Sequence, residues 1–438
     1  MSRENPYAIL QNRGFFYQVT DEEALSGLFA ESEVTAYIGF DATAASLHVG
    51  HLLPLMALGW LSRCGHRPVA LLGGGTSMVG DPSGRREARK ILELSDIRAF
   101  KEGIRPQLER FVGAGKGILR DNSEWLLGLN YVEFLRDAGR HFSVNRMLTA
   151  ESYKARLETG LSFLEFNYMV MQAYDFLVLF KEEGCLAQLG GQDQWGNIVA
   201  GIELIRRAEG GSAYGATLPL LLDPRTGEKF GKTNAGAVWL SAELTSVYDF
   251  YQFWRNVDDQ EIRRLLLLFT YLPDDECARL SKLPGNLVNR AKEILAYEVT
   301  ALCHGNQAAG EAYLASLKAF GAADPENAVE TSSKVRELGG VLKEASDIPG
   351  TERYLSELKE LDTASLFVLA GLCLSKGEAR RLIRQGGAYM DETQVPPGDE
   401  AGKVSEQLWL KKGMVTLRAG KKRHRRIIIK DPENSGAV

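Results

Sequence analysis

The 438-residue sequence predicts an α/β fold: a domain built on a parallel sheet, then an α-helical domain, then a small α+β domain. Three observations predict it. Short apolar runs alternate with helical patterns from about 35 to 225. The pattern turns wholly helical from about 240 to 320. After 351 a short capped helix leads into alternating, turn-rich segments.

In the first domain, TAYIGF (35–40) and PVALLGGG (68–75) read as strands closed by glycine. Between them HLLPLMALGWLSRCG has helical spacing and stops at Gly65, with Pro54 tolerated in its first turn. Strand, helix and strand within about forty residues form the βαβ unit of a Rossmann-like parallel sheet, whose ligands bind at the carboxyl ends of the strands. In the second domain, NLVNRAKEILAYEVTALCHG (286–305) lays Leu287, Ala291, Ile294, Leu295, Val299 and Leu302 on one face and stops at Gly305. Periodicity is lost from 321 onwards. The third domain opens with SKGEARRLIRQGG (375–387), a helix with a Ser375–Glu378 capping box and a Gly-Gly stop. The expected domains are 1–230, 231–325 and 351–438, with a linker at 326–350.

Composition narrows the class. With 45% hydrophobic and 25% charged residues the chain reads as globular, and its formal net charge of -5 confines any nucleic-acid-binding surface to a local patch. Cys64, Cys185, Cys277, Cys303 and Cys373 are scattered, odd in number and lack a C-x-x-C pair, as expected of reduced thiols. MSRENPYAIL has no signal-peptide core, and LLLLF (265–269) is far too short to span a bilayer. A soluble, cytoplasmic protein is expected.

FDATAASLHVGHL (40–52) sets His48 and His51 three apart, between a strand and a helix. No third ligand completes a metal site, and neither histidine has a carboxylate neighbour for acid–base work; packed or capping histidines remain the plain alternative. A helix amino terminus offers unpaired N–H groups and partial positive charge, however, and Gly50 leaves the backbone bare. Two imidazole donors there suit a nucleotide's phosphate or ribose. GEKFGKT (227–233) is not a P-loop, since Thr226 stands where glycine is required, and GGGTSM (73–78) is not a dinucleotide fingerprint, since Met78 replaces its third glycine.

H-V-G-H after a strand, together with K-F-G-K-T at 229–233, resembles the paired signatures of class I aminoacyl-tRNA synthetases. Three further stretches narrow the resemblance to bacterial-type tyrosyl-tRNA synthetases. YMVMQAYD (168–175) aligns Tyr168, Gln172 and Asp175 on one helical face, GGQDQWGN (190–197) follows the expected strand LAQLG, and GDPSGR carries Asp81 after a tight turn. The tryptophanyl relatives share the fold and both signatures without the Y-x-x-x-Q-x-x-D set. The resemblance covers essentially the whole chain.

It implies a tyrosine–tRNA ligase that forms tyrosyl-adenylate from L-tyrosine and ATP with Mg²⁺, then passes tyrosine to the terminal adenosine of tRNA(Tyr). It implies further that Tyr37 and Asp175 hold the phenol hydroxyl; that Asp81, Tyr168 and Gln172 hold the ammonium group; and that Gln194 lies near the carboxylate. Asp193 falls near the adenylate ribose, with Asp41, Gly50 and His51 beside the nucleotide. The attacking carboxylate is already ionised, so catalysis rests on positioning and on stabilising the departing pyrophosphate. Thr43, His48, Lys229 and Lys232 are expected in that role, supported by Arg85 and Arg89. No protein-held metal is expected. Ala42 and Ala45 depart from the family's pattern, where many relatives have proline and an acid, which puts the rigidity of this loop in question.

The tail resembles an S4-type RNA-binding domain. Arg380, Arg381 and Arg384 cluster on its helix, and KKGMVTLRAGKKRHRRIIIK (411–430), with Lys421, Lys422 and Arg423, holds nine Lys or Arg and no acid. Such a run on an acidic chain favours phosphate-backbone contact with tRNA. The family further implies a homodimer. Rival readings are an RNA-binding protein with a decayed synthetase body, and a nucleotidylyltransferase, which shares H-x-G-H but explains neither YMVMQAYD nor the tail.

Overall fold

The computed structural model describes residues 4–83, 92–338, 350–402, 413–420 and 423–430, except positions 114, 151–152, 154–155, 159, 225, 234–235, 359–360 and 392. Arg85, Arg89, Lys421 and Lys422 therefore lie outside the described residues. The chain divides into two compact units, Met1–Thr245 with Arg263–Ala278, and Ser246–Ile262 with Arg279–Val438.

The first unit holds a six-stranded sheet. Its strands are β1 (Gln18–Val19), β2 (Thr35–Asp41), β3 (Arg67–Gly73), β4 (Ile118–Asp121), β5 (Cys185–Gly191) and β6 (Tyr214–Leu218), in the order β1-β6-β5-β2-β3-β4. All neighbours are parallel except β1, which runs antiparallel to β6. β2 and β3 are buried almost end to end, as expected where helices cover both faces of a parallel sheet. The chain steps from β2 to β3 on one side and returns to β5 on the other. β2 thus borders a switch point, where an open α/β sheet leaves a crevice at the carboxyl ends of its strands.

The helix after β2, Leu52–Arg63, buries residues around most of its circumference, and its chain turns at Gly65 with φ +80°. It begins one residue later than the sequence suggests. Val49–His51 is a 3₁₀ turn that closes on His48, so His51 caps the α-helix rather than lying in its first turn. The Tyr168–Glu183 helix stops at Gly184, whose left-handed backbone (φ +60°) sends its N–H back to the Leu179 carbonyl.

The second unit packs the helices Val247–Arg255, Val288–His304 and Asn306–Phe320, the last two joined at Gly305 with φ +91°. It also holds a five-stranded sheet of β9 (Gly350–Tyr354), β10 (Ala388–Met390), β11 (Thr393–Gln394), β12 (Met414–Ala419) and β13 (Arg423–Lys430), in the order β11-β10-β12-β13-β9. Phe367, Ala379, Ile383, Val415, Leu417 and Ile427 build its core. The Lys376–Arg384 helix is capped by Ser375, whose Oγ accepts the Glu378 N–H at 3.2 Å. The Glu378 carboxylate reaches back to the Leu374 N–H instead of the capping residue's own, which shifts the expected box by one position. Arg425 on β13 grips Asp249 with two nitrogens at 2.7 Å each. Among the described residues no helix is long and apolar enough to cross a membrane.

Candidate active site

The crevice is lined by the carboxyl ends of β2 to β5. Asp41 ends β2, Gly73 ends β3, Asp121 ends β4, and Gly191 leads to Asp193 and Gln194. A continuous chain of hydrogen bonds runs from Tyr168 through Asp41 to Asp175 and Trp125. Tyr168 Oη donates to Asp41 Oδ2 at 2.9 Å, and Thr76 Oγ1 donates to Asp41 Oδ1 at 2.7 Å. Asn122 Nδ2 donates to both Thr76 Oγ1 and Asp175 Oδ2, each at 2.9 Å, and Trp125 Nε1 donates to Asp175 Oδ1 at 2.8 Å. The glycines after β3 make this crowding possible. A Cβ on Gly73 would fall 2.2 Å from Asp41 Oδ1, and one on Gly74 would fall 2.3 Å from Asp121 Oδ1.

Asp175 is 2% exposed. Burial pushes its carboxyl up to about 8, and the charges of Asp41 and Asp121 add to the rise against the bonds from Asn122 and Trp125. Burial, then the Asp175 charge, also raises the nearby Tyr37 hydroxyl well above its ordinary value. That hydroxyl is buried with no hydrogen-bond partner among the described residues. Native interiors rarely leave a buried hydroxyl unpaired, so the Tyr37 hydroxyl near Asp175 is a position an incoming polar group could satisfy.

At the opposite end, Gln194 Nε2 donates to Asp81 Oδ2 at 2.6 Å, while Asp81 Oδ1 accepts the Ser83 N–H at 2.9 Å. Buried Asn197 donates to Gln172 Oε1 at 2.9 Å and to Gln194 Oε1 at 3.1 Å. Desolvation and then Asp81 raise the Asp193 carboxyl, with the Lys229 charge opposing them. Lys229, from the K-F-G-K-T stretch, thus lies within electrostatic reach of the Asp193 carboxylate.

The two signature stretches meet directly. His48 Nδ1 accepts the Gly50 N–H and His51 Nδ1 accepts the His48 N–H, both at 3.1 Å. With Nδ1 accepting on each ring, a neutral imidazole carries its proton on Nε2 and presents a donor there. A Cβ on Gly50 would lie 2.8 Å from His48 Cε1, so any larger residue there would push this ring aside. Gly231, with φ +87°, rests on Val49, and its carbonyl accepts the Val238 N–H at 2.9 Å. Val49 N–H donates to the Val238 carbonyl at 2.9 Å, and Leu240 N–H to that of Leu47 at 2.8 Å, leaving His48 opposite Trp239. The second signature ends in β7 (Lys232–Thr233), which pairs antiparallel with β8 (Gly236–Ala237), just ahead of this ladder. Thr43 is anchored by its N–H on the Asp41 carbonyl at 3.0 Å. Ala42, one of the two departures from the family's pattern, donates its N–H to Ser77 Oγ at 2.7 Å, a bond proline cannot make.

The structure thus gathers Tyr37, Asp41, Asp81, Tyr168, Gln172, Asp175, Asp193 and Gln194 around one crevice, with Thr43, His48, Gly50, His51 and Lys229 on its β2 and loop side. Sequence reasoning missed Thr76, Asn122, Trp125 and Asn197. A signal was present in DNSEW (121–125), polar residues at the carboxyl end of a parallel strand. In the second unit, Arg384 is paired to Glu400 at 2.8 Å and Arg380 approaches Asp362 at 4.0 Å, while Arg381 and Arg423 are exposed on the surface.

This fold and paired signature define a class I tRNA synthetase: the family of class I tRNA synthetases for W and Y matches residues 30–321. The chain is 49% identical over 432 residues to the tyrosine–tRNA ligase of Desulfatibacillum aliphaticivorans, covering 98% of this chain and 99% of that protein. It is 46% identical over 430 residues to the one from Caldanaerobacter subterraneus subsp. tengcongensis, covering 97% and 99%. A solved structure of a C-terminally truncated mitochondrial tyrosyl-tRNA synthetase from Aspergillus nidulans superposes with a TM-score of 0.66 at 32% identity, over 73% of this chain and 95% of that one. The chain belongs to the tyrosine–tRNA ligase family.

Proposed function

We propose that this crevice forms tyrosyl-adenylate from tyrosine and ATP and hands the tyrosyl group to tRNA(Tyr), with Tyr37 and Asp175 reading the phenol hydroxyl. The observation that carries the reading is the pairing of a fully buried carboxyl with a buried, unpartnered Tyr37 hydroxyl at one end of the pocket. A site built to bond a hydroxyl rejects the analogue that lacks it, because its own polar groups are then stranded. Asp81, Tyr168 and Gln172 bind the ammonium group, Gln194 lies near the carboxylate, and Asp193 and Asp41 lie near the nucleotide.

ATP enters as its Mg²⁺ complex. His48, through Nε2–H, together with Thr43, Lys229 and Lys232, stabilises charge building on the departing pyrophosphate, with Arg85 and Arg89 in support. His51 and Gly50 contact the nucleotide. Tyrosine-dependent ATP–pyrophosphate exchange tests the assignment: Asp175→Ala should lower the preference for tyrosine over phenylalanine by about 10- to 100-fold. Unchanged discrimination would overturn it.

The domains are proposed as 1–230 for activation, 231–325 on the anticodon side, a linker at 326–350, and an S4-like RNA-binding domain at 351–438. Arg380, Arg381, Arg384 and the 421–423 run meet the tRNA backbone. A homodimer is supported by an exposed apolar group comprising Leu127, Tyr131, Val132, Phe163 and Leu164, three of which line one groove with Phe134 and Met171. Sedimentation of only a 48.3 kDa species at micromolar concentration would count against it. Five free thiols, four of them buried, support a cytoplasmic location.

A further inference from the structure

Trp239 belongs to no motif in the sequence, yet it lies against the histidine of the first signature. Its backbone stands opposite His48 in an isolated antiparallel bridge, held on either side by Val49 N–H to the Val238 carbonyl and Leu240 N–H to the Leu47 carbonyl. Its indole meets the His48 imidazole edge to face, with centroids 6.0 Å apart and planes at 65°. The His51 ring also lies against the imidazole, with centroids 4.1 Å apart and planes at 39°. The Trp239 backbone is held further by its main-chain N–H, which donates to Thr245 Oγ1 at 3.0 Å.

A histidine on a turn has two free torsions. The Gly50 N–H to Nδ1 bond fixes which nitrogen is the donor, but one bond alone does not set the tilt of a ring. Aromatic contacts restrain that tilt. Edge-to-face aromatic contacts are directional, so Trp239 sets the tilt of the imidazole and hence the aim of Nε2–H. Trp239 follows β8, which pairs with β7 at the end of the K-F-G-K-T stretch, so it adds a second link between the signatures beside the contact of Gly231 with Val49.

We infer that Trp239 is a positioning residue for the activation step, acting through His48 and aiming its Nε2–H at the charge that develops on the leaving group. The inference rests on the proposed role of His48. The test is a double-mutant cycle on the full-length enzyme, read by pre-steady-state adenylate formation and by KM for tyrosine.

Trp239→Leu should slow adenylate formation about tenfold with KM for tyrosine unchanged, and Trp239→Phe, which keeps an aromatic wall, should recover most of the rate. In a His48→Asn background, Trp239→Leu should change the rate by less than about twofold. A full tenfold loss in that background would show that Trp239 acts by another route and overturn the inference alone. If His48→Asn by itself left the rate intact, the role proposed for His48 would fall and this inference with it. If Trp239→Phe were as slow as Trp239→Leu while both melted like the parent, the aromatic wall would not be what aims the ring.

Discussion

Trp125 holds Asp175 from behind: its indole N–H donates to Oδ1 at 2.8 Å, while Asn122 Nδ2 takes the other oxygen at 2.9 Å. One donor on each oxygen turns a carboxyl that burial disfavours into a fixed acceptor beside the Tyr37 hydroxyl.

Trp125→Phe removes one of those donors without opening the pocket. A hydrogen bond to an uncharged group contributes about 0.5–1.5 kcal/mol, so KM for tyrosine should rise about two- to tenfold. The phenol end is remote from the reacting carboxylate and is bound alike before and during activation, so kcat for pyrophosphate exchange should stay within about twofold. A fall in kcat at unchanged KM would contradict this.

The raised Asp175 carboxyl makes a prediction about pH. Its folded value, about 8, lies above the ordinary carboxyl value of 3.8, so between those two limits the folded state binds more protons than the unfolded one. Stability contributed by this group is therefore full below about pH 4, falls as pH rises towards 8, and is level beyond. Denaturant unfolding at pH 5 and pH 8 should show the parent losing ground to Asp175→Ala over that interval. A parent that gained on the variant as pH rose would have the wrong sign.

Gly50→Ala places a methyl 2.8 Å from His48 Cε1 and 3.0 Å from Nδ1, so the ring must swing away. Misplacing a reacting group by about 1 Å can lower a rate about 100-fold. Adenylate formation should fall by one to two orders of magnitude with KM for tyrosine unchanged and the melting temperature within a few degrees of the parent. Retention of the parent rate would mean that His48 is not held where its neighbours suggest.

Deleting residues 351–438 should spare pyrophosphate exchange and cripple tRNA charging. In the intact enzyme the charging KM for tRNA should climb steeply with salt, since contacts to phosphate release bound counterions. A deletion variant that charges tRNA normally would remove the tail from RNA recognition.

The parallel sheet was readable because β2 and β3 are apolar runs separated by a helix that ends in glycine, a pattern that barely depends on the rest of the chain. The Tyr168, Gln172 and Asp175 face was readable for the same reason, being local to one helix. Asn122 and Trp125 were not, since 50 residues separate Trp125 from Asp175 and only the fold brings the end of β4 against the Tyr168–Glu183 helix. The glycines at 73–75 looked like a failed nucleotide fingerprint. Their real constraint is the close approach of Asp41, Asp121 and Leu126, which no spacing rule encodes. The 3₁₀ turn at Val49–His51 escaped because the two histidines accept backbone N–H groups, a local choice that apolar periodicity cannot report.

The short ladder between residues 47–49 and 238–240 has a consequence for how this chain can vary. Side chains alternate sides along paired strands, so removing or adding one residue between Gly231 and Trp239 would present the wrong side chain to His48. Drift at this joint is open to exchange of one residue for another but closed to any change in length, and natural variants of the gene should show that asymmetry.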